Sequence, residues 1–309
     1  MRVAFVYPGQ GSQYVGMGKE LYEGFEVIRD IYRDASDALG YDVADLCFNG
    51  PKDELNKTIR TQPCILTVSF AIHKLFSSRN GIKPFCVAGH SLGEYTALVA
   101  ADVLSFKDAV RLTEKRGLFM QEAVPEGEGL MAALLGLERD EVEDICRSII
   151  GGYVVPANYN CPGQIVIAGE RVAVEEAMEL AKERGAKRAV TLSVSIPSHC
   201  KLMSPASERL ADLLEGIEFK TPKFPIVNNA DARFLDEPHA IKDSLVRQLG
   251  SPLLWEDSIN LMINNGVNTF IEIGPGRILS GLIKRINDGV NVYNIEDMKS
   301  FEATLNAMY

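Results

Sequence analysis

The sequence predicts an α/β protein in two parts, a parallel sheet covered by helices with a smaller unit set into it. Three observations carry that expectation. Strand-length apolar runs alternate with helix-length amphipathic runs, the pattern that closes into a parallel sheet with helices on its faces. From about residue 127 to 196 the order changes to β-α-β-β-α-β. Finally, Gly89-His90-Ser91-Leu92-Gly93 falls where a strand-like run gives way to a helical one.

Along the chain, Met1 to Tyr7 is a strand-length run that stops at Pro8-Gly9. The following Gly9-Gln10-Gly11 loop is no dinucleotide fingerprint, because the third glycine or alanine would fall on Tyr14. It is no phosphate loop either, since Gly18-Lys19 lacks a glycine at Gln13 and a Ser or Thr at Glu20. Residues 20–46 read as helix, with Leu21, Phe25, Ile28 and Tyr32 at 3–4 spacing. Thr61-Gln62-Pro63 punctuates the chain before a second helical run, Ile65 to Phe76. Phe85 to Ala88 is a strand bounded by Pro84, and Leu92, Thr96, Val99 and Val103 mark the helix beyond it.

In the inserted unit, strands are expected at Leu130–Leu135, Val154–Asn158, Gln164–Gly169 and Ala186–Val194. Helices are expected at Glu138–Ile149 and Arg171–Arg184, which is the order of a ferredoxin-like subdomain. The expected division is therefore 1–126 with 197–309 as the large domain and 127–196 as the small one. The large domain resumes through Ser207–Leu214, the strand Ile226–Asn228, the helix Ala240–Leu249 and the strand Thr269–Ile273. Gly274-Pro275-Gly276 then leads into the helix Ile278–Ile286.

Composition narrows the function. Hydrophobic residues make up 46% and charged residues 24%, the mix of a globular protein rather than a disordered one. A net charge of −10 argues against nucleic acid as a partner. Two basic pairs, Lys187-Arg188 and Lys284-Arg285, with Arg277 and Lys201, are candidates for a local cationic rim. The N-terminal apolar run is too short for a signal sequence or a membrane span, so a cytoplasmic enzyme is expected. Six scattered cysteines suggest neither a disulfide framework nor a metal site, and read as small buried hydrophobes.

The chemistry centres on Ser91. A strand-to-helix turn this tight admits no Cβ at Gly89 or Gly93. It presents the serine Oγ at a helix N-terminus, where unpaired N–H groups face a developing oxyanion. A serine needs a base, and four histidines are available. His73 sits inside a helix, His239 follows Glu237-Pro238 in an expected surface loop, and His90 adjoins Ser91 and should point away from it. His199, in the Pro197-stiffened loop between the domains, is left as the base. Cys200 lacks an elbow and adjoins that base.

These stretches, taken together, resemble the malonyl-CoA:acyl carrier protein transacylases along essentially the whole chain. The matching motifs are Pro8-Gly9-Gln10-Gly11-Ser12-Gln13, Thr61-Gln62-Pro63, Gly89-His90-Ser91-Leu92-Gly93-Glu94 and Arg116-Gly117 with Phe119-Met120-Gln121. Later come Asn158-Tyr159-Asn160-Cys161-Pro162-Gly163-Gln164, Pro197-Ser198-His199, Arg247-Gln248-Leu249 and Gly274-Pro275-Gly276. The resemblance implies an α/β-hydrolase-like large domain and a ferredoxin-like small one. It implies that Ser91 carries the acyl group, that His199 is general base and acid, and that the N–H groups of Gln10 and Leu92 form the oxyanion hole. Arg116 would clamp the malonyl carboxylate, Gln62 and Asn160 would contact substrate, and the main-chain carbonyl of Gln248 would orient His199. Read without the resemblance, Arg116 is a helix-surface arginine near Arg111 and Lys115.

The implied partners are malonyl-CoA and acyl carrier protein, met by a monomer that needs no metal or redox cofactor. The competing reading is a serine acyl hydrolase or thioesterase using the same serine and histidine. A third is a carrier-binding scaffold without activity.

Overall fold

The computed structural model describes residues 1–79, 81–192 and 196–308. Among these described residues, eleven strands follow in chain order. They are β1 (Val3–Tyr7), β2 (Cys86–Gly89), β3 (Gly129–Leu135), β4 (Val154–Cys161), β5 (Gln164–Glu170), β6 (Arg188–Thr191), β7 (Ile226–Val227), β8 (Phe234–Leu235), β9 (Leu253–Leu254), β10 (Thr269–Ile273) and β11 (Asn291–Ile295). They form two sheets, ordered β11-β10-β1-β2-β7-β8 and β6-β3-β5-β4-β9.

The larger sheet is parallel except for its last pair, β7 with β8. Strand β1 shows why the sequence folds this way. All five of its residues are buried, because helices cover both faces. Phe5 and Tyr7 turn toward one core with the helices Glu26–Leu39, Thr58–Arg79 and Phe106–Ala123. Ala4 and Val6 turn toward the other, with Trp255–Asn264 and Ile278–Ile286. The carboxyl ends of β1, β2 and β7 therefore open on one edge, the usual position of a ligand site in such sheets.

The smaller sheet has the ferredoxin-like order, with antiparallel pairs β3–β5, β3–β6 and β4–β5. The helices Arg139–Ser148 and Arg171–Glu183 cover one of its faces. Met131, Ala157, Val166 and Ala168 on the other face pack with Cys200, beside the His199 loop. Strand β9, from the far end of the chain, adds to this sheet in parallel beside β4, at Asn158↔Leu253, and ties the two sheets together.

Several expectations are corrected. The helix foreseen over 20–46 is three helices, Lys19–Gly24, Glu26–Leu39 and Val43–Asn49. Phe25 is extended at φ −135°, Gly40 caps its helix in the left-handed region at φ 78°, and Asp42 starts the third helix by accepting the Asp45 N–H at 2.8 Å. The 3–4 spacing runs on because the helices share one core. Pro63 does not interrupt the chain but lies in the second turn of Thr58–Arg79, where a missing N–H costs one helical hydrogen bond without ending the helix. His239 stands in the first turn of the helix Pro238–Gly250 rather than in a loop. The strand expected to reach Val194 is described only over Arg188–Thr191, and residues 193–195 lie outside the described residues. No helix among the described residues is long and apolar enough to cross a membrane.

Candidate active site

The turn after β2 is fixed by three backbones meeting without side chains. A Cβ on Gly89 would lie 1.8 Å from the carbonyl carbon of Gly93, one on Gly93 would lie 2.0 Å from Tyr7 O, and one on Gly9 would lie 2.2 Å from His90 O. The crossing forces Ser91 to φ 52°, left-handed backbone that a non-glycine residue rarely adopts. Gly89→Ala therefore sets backbone against backbone and is expected to cost at least about 3 kcal/mol, above the usual range for an inserted methyl group. Gly24→Ala, which meets nothing within 4 Å, should shift stability by less than about 1 kcal/mol. Urea midpoints of the two variants measure the difference.

His199 reaches the serine from the opposite side, also from left-handed backbone at φ 61°. Its Nε2 is 2.9 Å from Ser91 Oγ and its Nδ1 is 2.8 Å from the main-chain oxygen of Gln248. The tautomer follows from the partners. A carbonyl only accepts, so Nδ1 carries the proton, and Nε2 accepts from the Ser91 hydroxyl. Burial, together with the Arg116 charge beside it, pushes the imidazole down to about 3, so it is neutral across the ordinary pH range.

Arg116 comes from the helix Phe106–Ala123 and is 1% exposed. Its NH1 donates to Gln62 Oε1 at 2.9 Å, and its NH2 donates to Gln248 Oε1 at 3.0 Å and to Ser91 Oγ at 3.2 Å. Each of those acceptors is neutral, and its Nε has no partner among the described residues. A buried cation without a carboxylate in contact, aimed at a serine oxygen, is equipped to receive an anion there.

The acyl transferase domain model matches residues 4–301. The chain belongs to that family. Within it, the chain is 48% identical over 303 residues to the malonyl CoA-acyl carrier protein transacylase of Escherichia coli K12, covering 98% of both proteins. It is 47% identical over 309 residues to the one of Bacillus subtilis 168, covering 99% of this chain and 97% of that one. A malonyl-transacylase solved in complex with a type II PKS acyl-carrier protein superposes with a TM-score of 0.98 at 47% identity, over 99% of this chain and all of that one. The acyl carrier protein S-malonyltransferase of Vibrio cholerae gives 0.96 at 46% identity, over 98% and 100%. The resemblance read from the motifs thus holds along the acyl transferase domain from end to end.

Around the dyad, this acyl transferase domain places the other candidates unevenly. Gln10, Gln62, Ser91, Arg116 and His199 line one cavity of about 80 Å³, with Met131 of β3 and Leu192, the residue after β6, also in its wall. The N–H groups of Gln10 and Leu92 have no acceptor among the described residues. Asn160 is not in the cavity wall. Its Oδ1 takes the Nε2 proton of His90 at 2.9 Å, while Asn158, two residues earlier, lines the cavity. His90 in turn packs its ring edge against Trp255. Cys200 is buried, donates its thiol to Pro197 O and is pushed up to about 11 by burial. Of the basic pairs, Lys284 is turned onto the carbonyls of Asp288 and Val290, and Arg285 onto Gln164 and Pro162.

Sequence reading missed two site residues. Asn229 clamps the elbow, its Oδ1 accepting the Ser91 N–H at 2.7 Å and its Nδ2 donating to Gly89 O at 2.8 Å. Glu94 lies behind it, and burial pushes its carboxyl up to about 7. Glu94 already stood inside the elbow motif, whereas Asn229 carries no local signal beyond following a short strand.

Proposed function

We propose that this chain transfers the malonyl group from malonyl-CoA to the phosphopantetheine thiol of acyl carrier protein through a malonyl-Ser91 intermediate. The observation that carries the reading is the buried Arg116 fork, bonded only to neutral acceptors within reach of Ser91 Oγ. A guanidinium so placed suits an acyl group that ends in a carboxylate.

Ser91 Oγ attacks the thioester carbon and passes its proton to His199 Nε2. The charge that develops on the carbonyl oxygen is met by the N–H groups of Gln10 and Leu92. Collapse breaks the carbon–sulfur bond, and the imidazolium returns its proton to the leaving coenzyme A sulfur. The carrier's thiol then gives its proton to His199, attacks the malonyl ester and restores Ser91, a ping-pong sequence. Gln248 orients the imidazole through its carbonyl, and Gln62 steadies the Arg116 fork. A cytoplasmic setting is supported by the six cysteines, all free and buried.

Intact mass after brief exposure to malonyl-CoA, with peptide mapping of the adduct, tests the intermediate. The acyl preference is tested at Arg116. Removing one partner of a buried charge pair costs about 2–5 kcal/mol, roughly 30- to several-thousand-fold, so Arg116→Ala should lose malonyl transfer by that factor. Acetyl transfer has no carboxylate to lose and should fall little or rise, and Arg116→Lys should recover only part, having the charge without the fork. The ratio of malonyl to acetyl kcat/KM decides, and an unchanged ratio in Arg116→Ala would favour a general serine acyl hydrolase.

A further inference from the structure

Behind the nucleophile, the Gln248 side chain is held between groups that fix which way its amide faces. Its Nε2 donates to Glu94 Oε2 at 2.8 Å and to Ser91 O at 3.2 Å, and its Oε1 accepts from Arg116 NH2 at 3.0 Å. A primary amide can be turned over with almost no change of shape, which exchanges oxygen for nitrogen. Here the turn is forbidden from both sides. It would set the amide oxygen against a carboxylate and a carbonyl, which only accept, and the amide NH2 against a guanidinium, which only donates. Glu94 is the stronger of the two acceptors, because an ionised or partly ionised carboxylate makes the tighter bond. It is fully buried in the first turn of the helix Gly93–Ala100, and its Oε2 also accepts the Asn229 N–H at 3.0 Å.

We propose that Glu94 is a specificity-positioning residue, holding the Gln248 amide with its oxygen toward Arg116 and so keeping the guanidinium over Ser91. Glu94 touches neither substrate nor the reacting atoms, and acts through Gln248. The inference rests on Arg116 being the carboxylate clamp. Without Glu94 the amide nitrogen keeps only its longer bonds, to Ser91 O at 3.2 Å and Asn229 Oδ1 at 3.5 Å, so the side chain is no longer held in place, Arg116 loses a fixed one of its three acceptors, and the fork leaves the position from which it meets a malonyl carboxylate. An acetyl group, which does not use the fork, registers only whatever disturbance reaches the elbow through Asn229. That disturbance lowers both substrates alike and leaves their ratio unchanged.

The test is the ratio of malonyl-CoA to acetyl-CoA acylation kcat/KM, read as coenzyme A thiol release by the full-length chain. In Glu94→Ala the ratio should fall at least about tenfold, the effect of roughly 1.4 kcal/mol. In Glu94→Gln it should stay within about threefold of wild type, because the new amide still offers one oxygen to Gln248 and Asn229. Gln248→Leu keeps the main-chain carbonyl on His199 but deletes the amide, so it should reproduce the Glu94→Ala ratio and serves if Glu94→Ala does not fold. A ratio preserved in Glu94→Ala or in Gln248→Leu overturns the proposal. So does a ratio lost as fully in Glu94→Gln as in Glu94→Ala, which would make the charge of Glu94, not its hold on the amide, the cause. If Arg116→Ala also leaves the ratio unchanged, the clamp itself has failed. If only the Glu94 and Gln248 variants do so, the clamp stands and this inference alone falls.

Discussion

Replacing Ser91 by alanine is expected to abolish covalent malonylation and to leave the fold intact. The substitution removes one oxygen from a half-buried side chain and keeps the Cβ, so the backbone crossing at Gly9, Gly89 and Gly93 is untouched. The bonds that hold the elbow pass through the Ser91 main chain, to Asn229 Oδ1 and from Gln248 Nε2, and they survive. Intact mass after exposure to malonyl-CoA should show no adduct, with the circular dichroism spectrum unchanged. Cys200 is the rival nucleophile, and its burial, its bond to Pro197 O and its raised pKa leave it without thiolate near neutral pH. An adduct mapped to Cys200 in the Ser91→Ala protein would refute the assignment.

The second large effect is at His199. Its alanine variant should acylate on the order of 10²–10⁴-fold more slowly, the usual contribution of one general base. A rate near that of wild type would transfer the role to His90, whose Nε2 is committed to Asn160. The wild-type pH profile gives an independent reading. With a folded pKa of about 3, below the ordinary imidazole value of 6.5, His199 stays unprotonated as pH falls through 6.5. The acid limb of acylation should therefore lie well below pH 6.5, and a limb at 6.5 would contradict the burial. Stability has a matching sign. Between pH 6.5 and 3 the unfolded chain binds a proton at this residue that the folded chain refuses, so this contribution is present above 6.5 and is lost as pH falls.

Some of this was legible in the sequence because it is local. The elbow is five consecutive residues, and the glycines that permit it are themselves the signal. The helix Ile278–Ile286 and the β-α-β-β-α-β order were read from periodicity within single elements. Arg116 was not legible by the same means, because its neighbours Arg111 and Lys115 give the helix an ordinary basic face. It is buried because the helix Phe106–Ala123 lies close to Thr58–Arg79 there, where a Cβ on Gly117 would stand 2.7 Å from Thr58 O. A glycine inside a helix, beside an arginine, was the available sign of that approach. Asn229 bonds across 138 residues to Ser91, and β7, β8 and β9 have two residues each, too few for any periodicity. The break at Phe25 was hidden because its ring packs on Phe301 in the same core as the helices on either side.

The smallness of the cavity at Ser91 bears on how long an acyl group survives there. A space of about 80 Å³ holds a handful of water molecules at most, and a malonyl group esterified to the serine displaces most of them. Few water molecules are then left beside the ester carbon. A thiol, with a pKa of about 8.5 against about 15.7 for water, also gives its proton to a neutral imidazole far more readily. A serine so loaded should act as a reservoir, slow to empty in plain buffer and discharged on contact with a carrier, its half-life set by the supply of thiol rather than by water.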